Sequence, residues 1–291
     1  MTKNPKNKSL LIIGLGYVGL RLAKHFSSEG WAIASTSRKI EKITSIKHQN
    51  WQPFFWNEEF IINLKKSSFI PDAIIVTVPP ESKKSDPIFP ILKPYLDEFE
   101  GWLGYISSTS VYASSNGEKT FENSPTIPNT ARGIERLNAE NLWKDLDAEI
   151  FRVAGIYGPH RSPFEKIKNK KDLKIINKNK HLFNRIHIDD LTSIISFAVN
   201  NAEKKRIMNL ADGNPCSQVE YYKEASIISK LKIPPVIDYE NVILSDKMRS
   251  FWEGWKYIIP KVLQEDLGYE FKYANYREGL KQIWEKENNI V

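Results

Sequence analysis

The chain alternates short, unbroken apolar runs with segments of helical spacing. Leu10–Ile13 is uninterrupted, which suits a strand covered on both faces. Leu20–Phe26 behind it repeats apolar residues at helical spacing, and Gly30 can end that helix. Further apolar runs predict strands at Trp31–Ser35, in DAIIVTVPP (72–80), in GWLGYISSTSVY (101–112) and in AEIFRVAGIYGP (148–159). Helical patterns lie between them, including Ile88–Phe99 and Ala131–Leu146. Strands and helices alternating in this way predict an α/β fold, a doubly wound parallel sheet with right-handed crossovers. Ligands of such sheets gather outside the carboxyl ends of the strands. Here those ends read GLGYVG, STSR, VPP, SSTSVY and AGIYGP.

Composition narrows the picture. The 291 residues, 41% hydrophobic and 12% aromatic, suffice for one large globular domain or two smaller ones. No apolar run approaches the roughly 18 residues of a membrane span. MTKNPKNKSL at the start lacks the apolar centre of a signal peptide. The single cysteine, Cys216, excludes an internal disulfide and fits a reducing cytoplasm. A net charge of +7 invites a nucleic-acid reading, but the lysines are scattered among Asn and Ile, as in KIKNKKDLKIINKNK (166–180). The excess is therefore read as compositional, with a general preference for anionic small ligands; neither nucleic acid nor membrane is an expected partner.

Between the first strand and the first helix, Gly14, Gly16 and Gly19 satisfy G-x-G-x-x-G, a dinucleotide signature when found in this setting. Gly14 makes the tight turn, Gly16 lets a pyrophosphate approach the backbone, and Gly19 lets helix and strand pack closely. The helix start adds N–H donors and a favourable dipole. The second strand ends in STSRK, without the Asp or Glu that holds the ribose of NAD. Thr36, Ser37 and Arg38 suit a 2′-phosphate instead, which points to NADP over NAD. The alternative leaves Arg38 solvated and gives the ribose to Glu41.

GLGYVG, SSTSVY, RVAGIYGP and NRIHIDDLTS (184–193), in this order, resemble the extended short-chain dehydrogenase/reductases, the NAD(P)-dependent epimerase/dehydratase group. The resemblance runs from about residue 9 to the end, including NLADGNP (209–215) and DLGYEFKYANYREGL (266–280). It implies a Rossmann domain over residues 1–159 with a return segment at 183–210. A smaller substrate-binding part would comprise 160–182 and 211–291. Cofactor contacts are implied at Gly14, Gly16, Tyr17, Val18 and Gly19, at Thr36, Ser37 and Arg38, and at Val78 and Pro79. Ser107, Ala154 and Ile156 complete that set.

The family's chemistry uses a Ser or Thr, a Tyr that exchanges a proton with the substrate, and a Lys four residues on that grips the ribose. The resemblance assigns the Ser to Ser108. The Tyr and Lys positions fall in NTARGIERLNAE (129–140), as Arg132 and Arg136, with the family's Glu at Glu140. A guanidinium, with a pKa above about 12, cannot cycle a proton near neutrality. The pattern resembles an atypical branch that shares the R-x-x-x-R helix. A plain surface ion pair explains it poorly, because Arg136 preceding Glu140 is the weaker order on a helix. Arg136 is then expected at the ribose. Arg132 is expected to clamp a carboxylate or phosphate, or to stabilise an oxyanion.

Gly155 replaces the Asn that contacts sugar nucleotides in the family, and Thr109 and Ser110 replace the Asp-Glu pair of its dehydratases; both speak against sugar-nucleotide chemistry. Two readings stay open. One is an NADP-dependent oxidoreductase on a small, anionic substrate, working without the usual Tyr/Lys pair and with a homodimer allowed for. The other is a non-catalytic NADP-binding sensor or scaffold.

Among other candidates, His187, Asp189 and Asp190 fit no standard metal spacing, and no metal is expected. Asp190 is expected to cap a helix Leu191–Asn200. Tyr157 is a candidate substitute proton donor, FWEGWKY (251–257) reads as core, and Cys216 as an inert thiol. GLGYVGL also opens the UDP-sugar dehydrogenases, but Cys216 lacks the surroundings of their catalytic cysteine and the chain is too short.

Overall fold

A computed structural model describes residues 8–46, 51–81, 86–169, 172–252 and 254–289. The opening MTKNPKN, and with it the signal-peptide reading, lies outside these residues, as do Lys170, Lys171 and Glu253 of the stretches discussed above.

Seven strands form the main parallel sheet: β1 Ser9–Ile13, β2 Ala32–Ser37, β3 Gln52–Phe55, β4 Ala73–Val76, β5 Trp102–Ser108, β7 Glu149–Val153 and β11 Ile207–Leu210. Their order is β11-β7-β5-β4-β1-β2-β3, so the chain leaves β1 for one edge and then crosses to the other, as a doubly wound fold requires. Register is parallel where β1 lies between β2 and β4, with Leu11 opposite both Ala34 and Ile74. Leu10–Ile13 is completely buried, the outcome expected for an apolar run in a central parallel strand. Three two-stranded ribbons stand apart: β6 Lys119–Thr120 with β13 Tyr257–Ile258, β8 Gly155–Tyr157 with β10 Arg185–His187, and β9 Ile175–Asn177 with β12 Val236–Asp238.

Several elements end elsewhere than their patterns suggest. β2 runs on to Ser37, so Thr36 and Ser37 belong to the strand. β5 stops at Ser108, where the side chain caps a 3-10 turn, Thr109–Val111, by accepting the Ser110 N–H. The apolar stretch 148–159 is two strands: Ala154 separates β7, in the main sheet, from β8, in a ribbon. The helices expected at 88–99 and 131–146 span Phe89–Leu96 and Ala131–Lys144.

By contacts the chain divides into two interleaved units. The first comprises 1–107, 134–151 and 192–207; the second comprises 108–133, 152–191 and 208–291. The first unit's core packs Leu11, Ile13, Ile74, Val76 and Tyr105 with Phe60, Leu92 and Trp143. Tyr105 and Trp143 stack with centroids 5.4 Å apart, and the Trp143 indole N–H reaches Asp86 Oδ2 at 2.8 Å. The second unit has a core of Tyr157, Phe164, Tyr221, Tyr222, Tyr276 and Leu280, and a smaller cluster around Ile176, Leu244 and Trp252. Of the stretch 251–257 expected as core, Trp252 is buried, Trp255 and Tyr257 are partly buried, and Phe251 is exposed.

Candidate functional site

The glycine loop of the first unit is built as its spacing predicts. Gly14 has φ +102°, and a Cβ there would lie 2.6 Å from Val78 Cγ2. A Cβ on Gly19 would lie 2.1 Å from the Gly14 carbonyl oxygen, so helix and loop pack too closely for any other residue. Gly16 differs: an added Cβ meets nothing within 4 Å. Gly16 is also the N-cap of the helix Tyr17–Ser28, which no side chain caps. Tyr17, Val18 and Gly19 form its first turn. Backbone donors and open space thus meet at the position where a phosphate would approach.

A cavity of about 270 Å3 adjoins this loop within the first unit, its wall including Gly14, Gly16, Val78, Pro79 and Trp56. Its size suits the adenosine end of a dinucleotide better than the whole molecule. The residues of STSRK divide their roles around it. Thr36 is buried, and its Oγ1 accepts the Gly14 N–H at 3.0 Å. Its hydroxyl therefore shapes the loop as an acceptor and keeps its own proton to donate, and Thr36 lines the cavity. Ser37 Oγ accepts the Lys39 N–H at 3.0 Å. Arg38 reaches outward, its side chain 71% exposed, with Nη1 3.1 Å from Glu81 Oε1. Glu41, the alternative ribose partner, is exposed and is not among the cavity residues. Lys39, Lys42 and Trp56 line the cavity and escaped the sequence reading. Lys42 Nζ donates to the Leu15 carbonyl at 3.0 Å. The available signal was the basic run RK followed by Lys42 after β2, and an aromatic residue directly after β3.

Arg132 and Arg136 share a helix but fall in different units. Arg136, in the first, is buried; Nη1 donates to the Ile106 carbonyl at 2.9 Å and to the Tyr105 hydroxyl at 3.2 Å. Among the described residues no acceptor faces its Nε or Nη2, leaving N–H groups for a ligand. Burial drives the Tyr105 pKa well above its usual value, and the Arg136 charge opposes that only in part. Ser107 donates to Glu140 Oε2 at 2.6 Å, and Glu140, fully buried, also pairs with Lys144 at 3.2 Å. Ser107, expected against the cofactor, is thus held by the acid of the same helix.

In the second unit Ser108 caps the turn 109–111, and the tyrosine of SSTSVY is structural. Tyr112 is buried; its hydroxyl donates to Asn209 Oδ1 at 2.7 Å and accepts from Arg152 at 2.8 Å. Its pKa is pushed up to about 12, by burial first. The helix start lies against this turn, since a Cβ on Gly133 would sit 2.5 Å from the Ser110 carbonyl oxygen. Arg132 is exposed, with its guanidinium 5.1 Å from the Phe251 ring centroid. Ala154 and Ile156 are half-buried beside Gly155, whose added Cβ would come within 3.0 Å of the Asn184 carbonyl oxygen.

Tyr157 is enclosed by rings, edge-on to His187 at 5.1 Å and to Tyr221 at 6.0 Å, with its hydroxyl buried. A proton donor needs access, so this enclosure counts against the substitute role. The Asp190 expectation is corrected. The helix spans Ile188–Asn200, which puts Asp190 in its first turn. The carboxylate instead accepts the N–H groups of Lys272 at 2.7 Å and Tyr273 at 3.1 Å, anchoring the C-terminal segment. Cys216 is buried, receives an Arg185 N–H at 3.0 Å, and has its pKa raised to about 11 by burial, consistent with an inert thiol.

No family model matches the chain. Protein YeeZ of Escherichia coli K12 is 23% identical over 285 residues, covering 92% of this chain and 97% of YeeZ. The structure of a functionally unknown conserved protein from Silicibacter pomeroyi DSS superposes with a TM-score of 0.85 at 28% identity, covering 97% of this chain and 99% of that one. Human epimerase family protein SDR39U1, solved with NADPH, superposes with a TM-score of 0.75 at 15% identity, covering 95% and 98%. Human SDR39U1 is an epimerase family protein, other epimerases and a dehydratase are among the structural neighbours, and the chain shares their fold.

Proposed function

We propose that the first unit binds NADP and that the chain is an oxidoreductase of the epimerase/dehydratase kind, acting on a small substrate that carries a carboxylate or phosphate. The observation that carries this reading is the glycine loop. Gly16 is the one loop glycine with open space before it, and the adjoining cavity is lined by Arg38, Lys39 and Lys42. A pyrophosphate against Gly16 would meet the uncapped helix start, and a 2′-phosphate would draw Arg38 from Glu81 by a charge-assisted bond. The NADPH held by human SDR39U1 supports the choice of cofactor. Bound, such a cofactor supplies hydride chemistry. Arg136 keeps donors for its ribose; in the second unit, Ser108 and Arg132 are the proposed holders of a substrate's oxygen and of its anionic group.

A second reading, a non-catalytic NADP-binding sensor, is favoured by the two permanent cations where a proton-cycling Tyr and a Lys would stand. Calorimetric titration with NADPH and NADH tests the cofactor. NADPH is expected to bind at least about tenfold more tightly, and Arg38→Ala to remove most of the difference. Equal wild-type affinities sink the NADP reading. NADPH oxidation in the presence of small 2-oxo acids then separates enzyme from sensor.

A further inference from the structure

Within the first unit, Arg38 and Glu81 stand on either side of the glycine loop. Arg38 follows directly on β2, and Glu81 follows β4 by way of Val78, Pro79 and Pro80. In the sheet β1 lies between those two strands, and its carboxyl end runs into Gly14. The bond from Arg38 Nη1 to Glu81 Oε1, at 3.1 Å, therefore joins the two loops that flank the start of the glycine loop. The arm that carries Glu81 is fixed close by. Val78 Cγ2 would lie 2.6 Å from a Cβ on Gly14, and Pro79 lines the cavity. Each proline locks its own φ near about −65°, so the two together leave this arm little freedom.

The charges around the cavity are one-sided. Arg38, Lys39 and Lys42 line it, and among the described residues no Asp or Glu does. Glu81 brings an acid to the one guanidinium in that lining. The pair is a single bond between side chains 71% and 37% exposed, which makes it weak. A phosphate can take two N–H groups of a guanidinium at once and outcompetes such a carboxylate. It does so against two penalties. Arg38 must leave Glu81, and two anions on one guanidinium stand within about 8 Å of each other, close to the Debye length at physiological salt. Their repulsion is only partly screened. A ribose 2′-hydroxyl, uncharged, meets neither penalty.

We propose that Glu81 is a specificity-determining residue of the dinucleotide site. Its carboxylate holds Arg38 when the site is empty and lowers the preference for a 2′-phosphate below what Arg38, Lys39 and Lys42 would give without it. This rests on the NADP reading of the first unit given above. A moderated hold on the phosphate also shortens residence, as a cofactor exchanged at every turnover requires.

Calorimetric titration of the full chain with NADPH and NADH, in wild type, Glu81→Gln, Arg38→Ala and the double variant, tests this. Glu81→Gln removes the charge and keeps the shape. It should tighten NADPH about three- to tenfold, from release of an exposed pair together with loss of a like charge, and leave NADH within about twofold. In 0.5 M salt the gain should fall below about twofold. Added to Arg38→Ala, Glu81→Gln should gain no more than about twofold, because the carboxylate acts mainly through Arg38. Arg38→Ala lowering the NADPH preference while Glu81→Gln leaves it unchanged or weakens it overturns the Glu81 proposal alone. So does equal tightening of NADPH and NADH, or a gain undiminished in the Arg38→Ala background. An Arg38→Ala chain that keeps the wild-type ratio of the two affinities overturns the placing of the 2′-phosphate at Arg38, and the proposal with it. A wild-type chain that binds neither dinucleotide overturns the cofactor reading itself.

Discussion

Asp212, in the NLADGNP stretch, gives a prediction whose size follows from the structure. It is 4% exposed; Oδ1 accepts the Asn214 N–H at 2.9 Å, and Oδ2 is buried without a partner. Burial raises its pKa from 3.8 to about 7, with Asp190 adding to the rise and the Asn214 N–H and Arg185 opposing it. Between those two values the folded chain holds a proton that the unfolded chain has released. Stability therefore falls as pH climbs through this window, and the full penalty is present above pH 7. A rise of about three units corresponds to a ceiling of about 4 kcal/mol, from 1.36 kcal/mol per unit, and relaxation around the carboxylate reduces it. Asp212→Asn keeps the acceptor for Asn214 and cannot ionise. Urea unfolding followed by circular dichroism should find the variant more stable than wild type by about 2–3 kcal/mol at pH 8, and by about 1.5 kcal/mol at pH 5, where the unfolded carboxyl is already largely ionised. An equal difference at both pH values, or a variant weaker at pH 8, would refute the reasoning, because the carboxylate would then not be carrying an unpaid desolvation penalty.

Two further outcomes bear on the first unit. Gly16→Val should leave the melting temperature near wild type, since nothing lies within 4 Å of its Cβ, yet abolish NADPH binding measured by fluorescence; wild-type affinity would mean the loop is not the nucleotide site. Arg136→Ala removes the donor to the Ile106 carbonyl and should cost about 1–3 kcal/mol in stability by denaturant titration, with NADPH affinity down about tenfold, whereas Arg132→Ala should leave both nearly unchanged. Loss of stability without loss of affinity in Arg136→Ala would assign that arginine to structure alone.

Local pattern determined a great deal. The run Leu10–Ile13, the glycine spacing behind it and the helical repeat at 20–26 each describe neighbours along the chain, and the doubly wound sheet, the loop and its open Gly16 follow from them. Hydrophobic periodicity reports which faces are covered, and glycine spacing reports where backbone must pass close to backbone. Neither reports which polar group meets which. The Thr36 hydroxyl turned to the Gly14 amide 22 residues away, Ser107 turned to Glu140 33 residues away, and Asp190 took two amides more than 80 residues on. Lys256, whose ammonium donates to the Thr109 carbonyl 147 residues away, carries no sign of that contact in its own surroundings, a lysine among aromatic residues in a lysine-rich chain. Each polar group takes the partner that burial brings within about 3 Å of it, and that choice is made only when distant segments pack, because desolvation then makes an unmade hydrogen bond costly.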